Sequence, residues 1–198
     1  TLAGSPYTFE LPVFRHLSPR IRAKKVAMVY GGSDFARLSR INAKSHNTFN
    51  VGYIGTATFV KMHPNFVSVC VAVNVPDVWA TVCGCIDPLL RQQAQSLGVA
   101  DRFEFCGYVE DIKTQLEILD VFGYPLCEGN YAGGEMVLHE AMFAGVPPVV
   151  FPYGGPKGVV INDFTGLVVH SEQEFIQAIE YLFHHPQERY RMGRNARQ

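Results

Sequence analysis

An α/β fold on a doubly wound, three-layer parallel sheet of Rossmann-like type is predicted by three observations. Short apolar runs alternate with longer polar-faced segments, glycine or proline punctuates the joints, and the composition is that of a globular chain. Strands separated by helices of about 10–15 residues pair in parallel, because a parallel neighbour needs a crossover, and the helices then cover both faces of the sheet. The chain has 198 residues, with 17 Lys+Arg against 18 Asp+Glu, 47% hydrophobic and 18% charged residues. That balance excludes a disordered chain, which would be poor in apolar residues and high in net charge. A net charge of −1 also lacks the basic footprint of a nucleic-acid binder. The longest apolar runs, at 67–73 and 146–151, fall far short of the ~20 residues a membrane span needs, so no transmembrane segment is expected.

Along the chain, residues 1–45 read as a linker-like lead-in with a first strand at 26–30 before Gly31-Gly32, and residues 46–198 as the main domain. Residues 49–55 form a strand that ends in Gly55. Residues 65–74 fit a strand by their valines or a helix by Pro64, which suits a first turn. Residues 78–84 read as a buried strand, and 87–97 as a helix between Asp87-Pro88 and Gly98. A strand at 102–106, a helix at 110–119 and a strand at 121–125 follow. The helix at 135–144 stops at Gly145, and strands come at 148–151 and 166–169. Ser171 with Glu174 three residues on is a capping box that opens a helix, and Pro186 precedes a final one.

Cys70, Cys83, Cys85, Cys106 and Cys127 are odd in number and sit mostly in apolar segments. Cys83-x-Cys85 is short of the C-x2-C pairs of zinc sites, so the thiols read as buried and reduced, a usage expected in a cytoplasmic protein. No basic-then-apolar leader follows Thr1, so no secretory signal is expected.

In open parallel sheets ligands bind beyond the carboxyl ends of the strands, which directs attention to the turns after Ile54, Cys83, Cys106, Leu126 and Phe151. The strongest local signal is Pro125-Leu126-Cys127-Glu128-Gly129-Asn130-Tyr131-Ala132-Gly133-Gly134-Glu135, which leads into a helix. Adjacent glycines there leave backbone N–H groups uncovered, and the helix dipole adds positive potential suited to phosphate. Its plainer reading is a connection that needs glycine to turn, with Glu135 merely complementing the dipole. Lys61, after the first sheet strand, can neutralise a diphosphate or be a solvated surface cation. His63 is a cap or an active-site donor. Phe151-Pro152-Tyr153-Gly154-Gly155-Pro156-Lys157 is a second Gly-rich turn, adjacent through the sheet. No D-x-D pair, G-x-x-x-x-G-K-[ST] loop or G-x-S-x-G elbow is present, and His184-His185 lacks a third ligand nearby.

Together these residues form a pattern. From about residue 30 to the end, the chain resembles the C-terminal, nucleotide-sugar-binding half of the two-domain GT-B glycosyltransferases, especially the glycosyl transferases group 1. The likeness is carried by Val29-Tyr30-Gly31-Gly32-Ser33-Asp34-Phe35, by Leu97-Gly98-Val99-Ala100-Asp101-Arg102-Phe103-Glu104-Phe105-Cys106-Gly107-Tyr108-Val109, and by His139-Glu140-Ala141-Met142-Phe143-Ala144-Gly145-Val146-Pro147-Pro148-Val149-Val150. Asp163-Phe164-Thr165-Gly166-Leu167-Val168-Val169 and Met192-Gly193-Arg194-Asn195-Ala196-Arg197 follow in the family's order.

By position, the resemblance implies that Glu140 holds the ribose hydroxyls and Lys61 the pyrophosphate of a nucleotide-sugar donor. It implies that Gly133, Gly134 and Glu135 meet the sugar and diphosphate, with Tyr108 and Val109 bordering the base. Gly55, Thr56 and Met136 complete the expected donor set, and Lys61 and Glu135 are the catalytic candidates. Thr56 stands where the family usually has Arg. Ala132 stands where it has the first of two acids eight positions apart, so Glu128 or Glu135 takes that acid's place. Lys61 and the Pro125-Leu126-Cys127 segment are also similar to the donor half of the protein O-linked N-acetylglucosamine transferases.

The resemblance implies a retaining transfer of sugar from a nucleoside-diphosphate donor, taken as UDP, with no metal and no cofactor. It further implies an N-terminal acceptor-binding domain as partner, missing from these residues, and little transfer by this chain alone. Two other classes stay open. A nucleotide-sugar 2-epimerase-like isomerase shares the two-domain fold, although the Glu-Ala-Met-x-x-Gly-x-Pro segment argues for the transferases. A non-catalytic nucleotide-binding module would explain the missing Arg and the displaced acid.

Overall fold

Six parallel strands carry the domain in a computed structural model that describes residues 2–3, 20, 27–28 and 32–198. They are β3 (Phe49–Ile54), β4 (Val78–Cys83), β5 (Phe103–Gly107), β6 (Val121–Tyr124), β7 (Pro148–Val150) and β8 (Leu167–Val168). A separate parallel pair is formed by β1 (Leu2–Ala3) and β2 (Ala27–Met28). The remainder of the strand expected at 26–30, and most of the lead-in, lie outside the described residues.

The sheet order is β5-β4-β3-β6-β7-β8. The chain starts in the middle, winds outward through β4 and β5, then returns to the other side of β3 and winds outward again. This is the doubly wound order with its switch point between β3 and β6. All six residues of β3 and all four of β6 are buried, as expected of central parallel strands covered on both faces. Right-handed crossovers running in opposite directions place their helices on opposite faces. Accordingly α1 (Phe66–Ala72) packs with α2 (Pro88–Ser96) and α5 (Glu172–His184). Similarly, α4 (Met136–Phe143) packs with α6 (Pro186–Ala196) and a 3-10 turn at Phe35–Leu38.

Local chemistry sets most boundaries. Asp87 Oδ1 accepts from Leu89 N at 3.0 Å, Pro88 opens α2, and Gly98 leaves it at φ +68°. Ser171 Oγ accepts from Glu174 N at 3.1 Å, while Glu174 reaches back to the amide of His170, one residue beyond the cap. The segment that fitted either type is helical. Phe66, Val67, Val69 and Cys70 of α1 are buried, so core packing outweighs the modest helix propensity of valine. The helix expected at 110–119 shrinks to α3 (Lys113–Leu116). Asp111 Oδ1 accepts from Lys113 N and starts it late; Asn50 Nδ2 donates to Ile118 O at 2.7 Å and draws the chain out toward β6.

The cysteines are free, but only Cys70 and Cys83 are buried; Cys106 and Cys127 are partly covered and Cys85 is exposed. The expectation of five buried thiols is corrected for Cys85 because it lies in the turn after β4, past the last buried strand residue. Burial pushes the Cys70 thiol up to about 12, so it stays protonated and inert.

Thr81, in the middle of β4, is 1% exposed and its hydroxyl has no hydrogen-bond partner among the described residues. An unmet buried hydroxyl costs about 1–3 kcal/mol. Thr81→Val, which keeps the shape and β-branching, is therefore expected to stabilise the fold by roughly 1 kcal/mol, read as a higher midpoint in denaturant melts.

Candidate functional site

The carboxyl ends of β3 and β6 flank the switch point, and the loops that leave them are sewn together. Met62 and Leu126 form an antiparallel bridge. His63 N donates to Pro125 O at 2.9 Å, and Cys127 N donates to Lys61 O at 2.8 Å. These bonds carry Lys61 from the β3 loop to the mouth of the β6 loop, and the residue is 7% exposed. Its Nζ lies 2.8 Å from Glu135 Oε2 and 5.5 Å from the centre of the Tyr124 ring.

Glu135 caps α4 with its backbone, but its side chain makes no capping bond. It turns into the sheet edge, where Tyr124 Oη donates to the same Oε2 that pairs with Lys61. Tyr124, at the end of β6, stacks on Tyr53 of β3 at 4.9 Å between centroids. Burial, together with neighbouring negative groups, pushes the Tyr124 phenol well above its ordinary value and keeps it a donor. His139, a turn further along α4, is half-buried and its imidazole is shifted down by that burial, against the pull of Glu135.

Gly55 forms the floor, at φ +136°, where a side chain would be strained. A Cβ there would meet Tyr124 Oη at 3.7 Å and Lys61 Nζ at 3.9 Å, so the bare backbone leaves both polar tips uncovered from that side. Above, among the described residues, no carbonyl or side chain accepts from the amides of Gly133 and Gly134. A buried cation and a phenol thus meet on the Glu135 carboxylate at the switch point, beside a helix start whose two glycine amides have no partner among the described residues, a setting an anionic group could share.

Glu140, one turn into α4, is buried and accepts hydrogen bonds from Ser33 Oγ and Arg37 Nη2, both on Oε1. The Arg37 guanidinium is held above its ordinary value chiefly by that bond to Glu140, and its Nη1 reaches Asp111 Oδ1 at 3.0 Å.

Of the expected residues, the fold therefore gathers Gly55, Lys61 and Glu135 at one point, with Gly133 and Gly134 just before Glu135 in the chain and Glu140 further along the same helix. Thr56 lies just past the floor, its carbonyl accepting from Tyr53 Oη at 2.9 Å. Tyr108 is 85% exposed on the loop after β5 and Val109 is partly covered. Met136 is exposed at the rim. Glu128 is exposed on the β6 loop and forms no part of the buried cluster; Glu135 is the acid beside Lys61. Ala132 is 1% exposed, with its carbonyl taken by Gly155 N at 2.8 Å, so no carboxylate fits there. The second Gly-rich turn packs directly on this loop: a Cβ on Gly154 would fall 2.6 Å from Asn130 Oδ1, and one on Gly155 2.7 Å from Gly133 O. The His63 ring lies tilted against Phe151 with centroids 5.2 Å apart, and its Nδ1 accepts from Asn65 N just before α1.

Sequence reasoning missed Tyr124, Ser33 and Arg37. Tyr124 carried a signal, a polar-tipped aromatic at the carboxyl end of a central strand. Arg37 lies just past one of the recognised stretches, and only its long-range contact distinguishes it. A cleft of about 290 Å³, lined in part by Lys44, His46, Asp120, Pro147 and Arg189, opens at the amino ends of β6 and β7, the opposite end from ligand sites in such sheets. Among the described residues no three His, Cys, Asp or Glu side chains gather as a metal site, and no helix is long and apolar enough to cross a membrane.

Residues 34–198 match the profile of the glycosyl transferases group 1 family. No curated protein sequence matches the chain. Among solved structures, HepE of Anabaena in complex with UDP-glucose superposes with a TM-score of 0.82 at 21% identity, over 99% of this chain and 57% of that one. Sucrose-phosphate synthase of Thermosynechococcus elongatus gives 0.78 at 21% identity, over 99% and 52%. The C-terminal domain of the group 1 protein LpcC from Francisella tularensis gives 0.63 at 20% identity, over 81% and 86%. The chain thus spans a little over half the length of the two larger proteins.

Proposed function

Because this chain belongs to the glycosyl transferases group 1 family, we propose that it is the donor-binding half of a glycosyltransferase that takes sugar from a nucleoside-diphosphate donor, with UDP as the first candidate nucleotide. The observation that carries this reading is the buried cluster of Lys61, Tyr124 and Glu135 at the switch point between β3 and β6, next to the amides of Gly133 and Gly134 that precede α4 and are unpartnered among the described residues. HepE is known with UDP and glucose bound, and its likeness to this chain supports UDP as the first candidate.

In the proposed reaction, negative charge builds on the diphosphate as the bond to the sugar breaks. Fixed donors in a site shielded from water stabilise that charge more than they stabilise the bound substrate, which is the source of the rate gain. Lys61 supplies the cation and the helix amides supply aimed dipoles, so the diphosphate needs no metal in this scheme. Glu135 holds Lys61 in place before the donor arrives. When Lys61 turns to phosphate, Glu135 keeps the Tyr124 bond and faces the sugar side of the pocket. Glu140 accepts the ribose hydroxyls, and the loop at Tyr108 and Val109 borders the base. Retention of configuration belongs to the same proposal, with the acceptor and its binding domain supplied from outside these residues.

Calorimetric titration of the folded chain with UDP, GDP and ADP tests the reading. One of the three is expected to bind in the micromolar range, with affinity falling as the diphosphate is shortened to a monophosphate. Heat-silent titrations with all three would remove the donor-site assignment and favour a structural module.

A further inference from the structure

We propose that Arg37 is a positioning residue for nucleoside recognition, aligning Glu140 so that its free oxygen meets the ribose. The inference rests on the reading of Glu140 as the ribose acid.

The 3-10 turn at Phe35–Leu38 is capped at its start and anchored at its end. Asp34 Oδ1 accepts from Ala36 N at 3.1 Å, and Leu38 is fully buried. Phe35 lies 5.0 Å from Phe143, three residues beyond Glu140 on the same face of α4. Ring and acid thus lie on one helix surface, and Arg37 projects from the turn that packs against it. Its guanidinium forks, with Nη2 on Glu140 Oε1 and Nη1 on Asp111 Oδ1. Ser33 Oγ adds a second donor to Oε1. Glu140 Oε2 is left without an intramolecular partner among the described residues.

Two donors on one oxygen and none on the other fix the rotation of the carboxylate and present Oε2 as an open acceptor. The guanidinium sets an opposite charge directly against this buried carboxylate. The 2′ and 3′ hydroxyls of ribose are donors, and a charged acceptor holds them best. The other arm of the fork ties in Asp111, three residues after Tyr108 on the loop assigned to the base. Arg37 therefore couples the ribose acid to the base loop through one planar group, which a lysine, as a point charge, would not span.

The test is calorimetry on wild type and Arg37→Met with three probes. These are the tightest-binding of UDP, GDP and ADP, its 2′-deoxy form, and inorganic pyrophosphate. Wild type is expected to prefer the ribose form over the deoxy form by about tenfold. Arg37→Met is expected to weaken the ribose form about tenfold and to bring the preference close to one, with pyrophosphate affinity unchanged. An undiminished preference, or tighter binding once the guanidinium is gone, overturns the proposal. So does an equal loss for pyrophosphate, which would mark a general structural effect. A wild type that binds both nucleotides equally overturns the ribose reading of Glu140 and this inference with it.

Discussion

Lys61→Met is expected to lose about 3 kcal/mol of stability and at least tenfold in nucleoside-diphosphate affinity, and the two losses separate in a double-mutant cycle. Lys61 and Glu135 form a buried pair at 2.8 Å, each residue 7% exposed. Removing the cation alone strands a carboxylate in a site that water barely reaches, with only the Tyr124 hydroxyl, among the described residues, to compensate. Stranded charges of this kind cost about 3–5 kcal/mol, and the hydrogen bond from Tyr124 places this one at the lower end. Glu135→Gln in the same chain removes the stranded charge. The double variant Lys61→Met with Glu135→Gln is thus expected to recover most of the lost stability in denaturant melts.

Affinity behaves differently. A charge-assisted bond to phosphate contributes about 1.5–3 kcal/mol, or roughly 10- to 100-fold. That contribution is absent from the double variant as well, so its fold returns and its nucleotide binding does not. Glu135→Gln alone keeps Lys61 and removes its competitor, and is expected to bind the diphosphate as tightly as wild type or better. A double variant that regains both stability and affinity would show that Lys61 serves only the fold.

Gly84→Ala is expected to be the most damaging single substitution at the sheet edge, with a loss of about 4 kcal/mol or more and no measurable nucleotide binding. Gly84 sits in the turn after β4 at φ +117°, a conformation L side chains rarely adopt. A Cβ there would also drive into the backbone carbonyl of Gly55, well inside contact distance. Neither obstacle is a flexible side chain. The backbone of the Gly55 turn would have to move, and with it the floor beneath Lys61 and Tyr124. Gly84 N donates to Gly107 O at 2.6 Å, so the strain also reaches the β5 loop that carries Tyr108. Thermal melts and the nucleotide titration on the same preparation read both effects. Near-wild-type stability in this variant would mean that the two turns are less tightly packed than their backbone positions imply.

Period and punctuation made much of the fold legible. The runs at 49–55, 78–84, 102–106 and 121–125 all mark strands, and Asp87-Pro88, Ser171 and Pro186 open helices where capping chemistry places them. Local signals failed where a distant group decided the outcome. The valines of α1 suited a strand until the core claimed them, and α3 is cut short by Asn50, more than sixty residues earlier in the chain. The site was legible in part. Glycines before a helix, a lysine after a strand and an acid in the helix are visible in one dimension because each relates to its own element.

What the sequence determined by itself was the doubly wound class and the strand ends where such sheets take their ligands, since both follow from short-range periodicity and from the geometry of parallel crossovers. The tertiary structure alone decided which groups meet there. It chose Glu135 over Glu128 as the partner of Lys61, added Tyr124 from beneath, and brought Arg37 from the lead-in onto Glu140. Ion pairing and burial act across space between residues 74 and 103 positions apart, and no local pattern encodes such a separation.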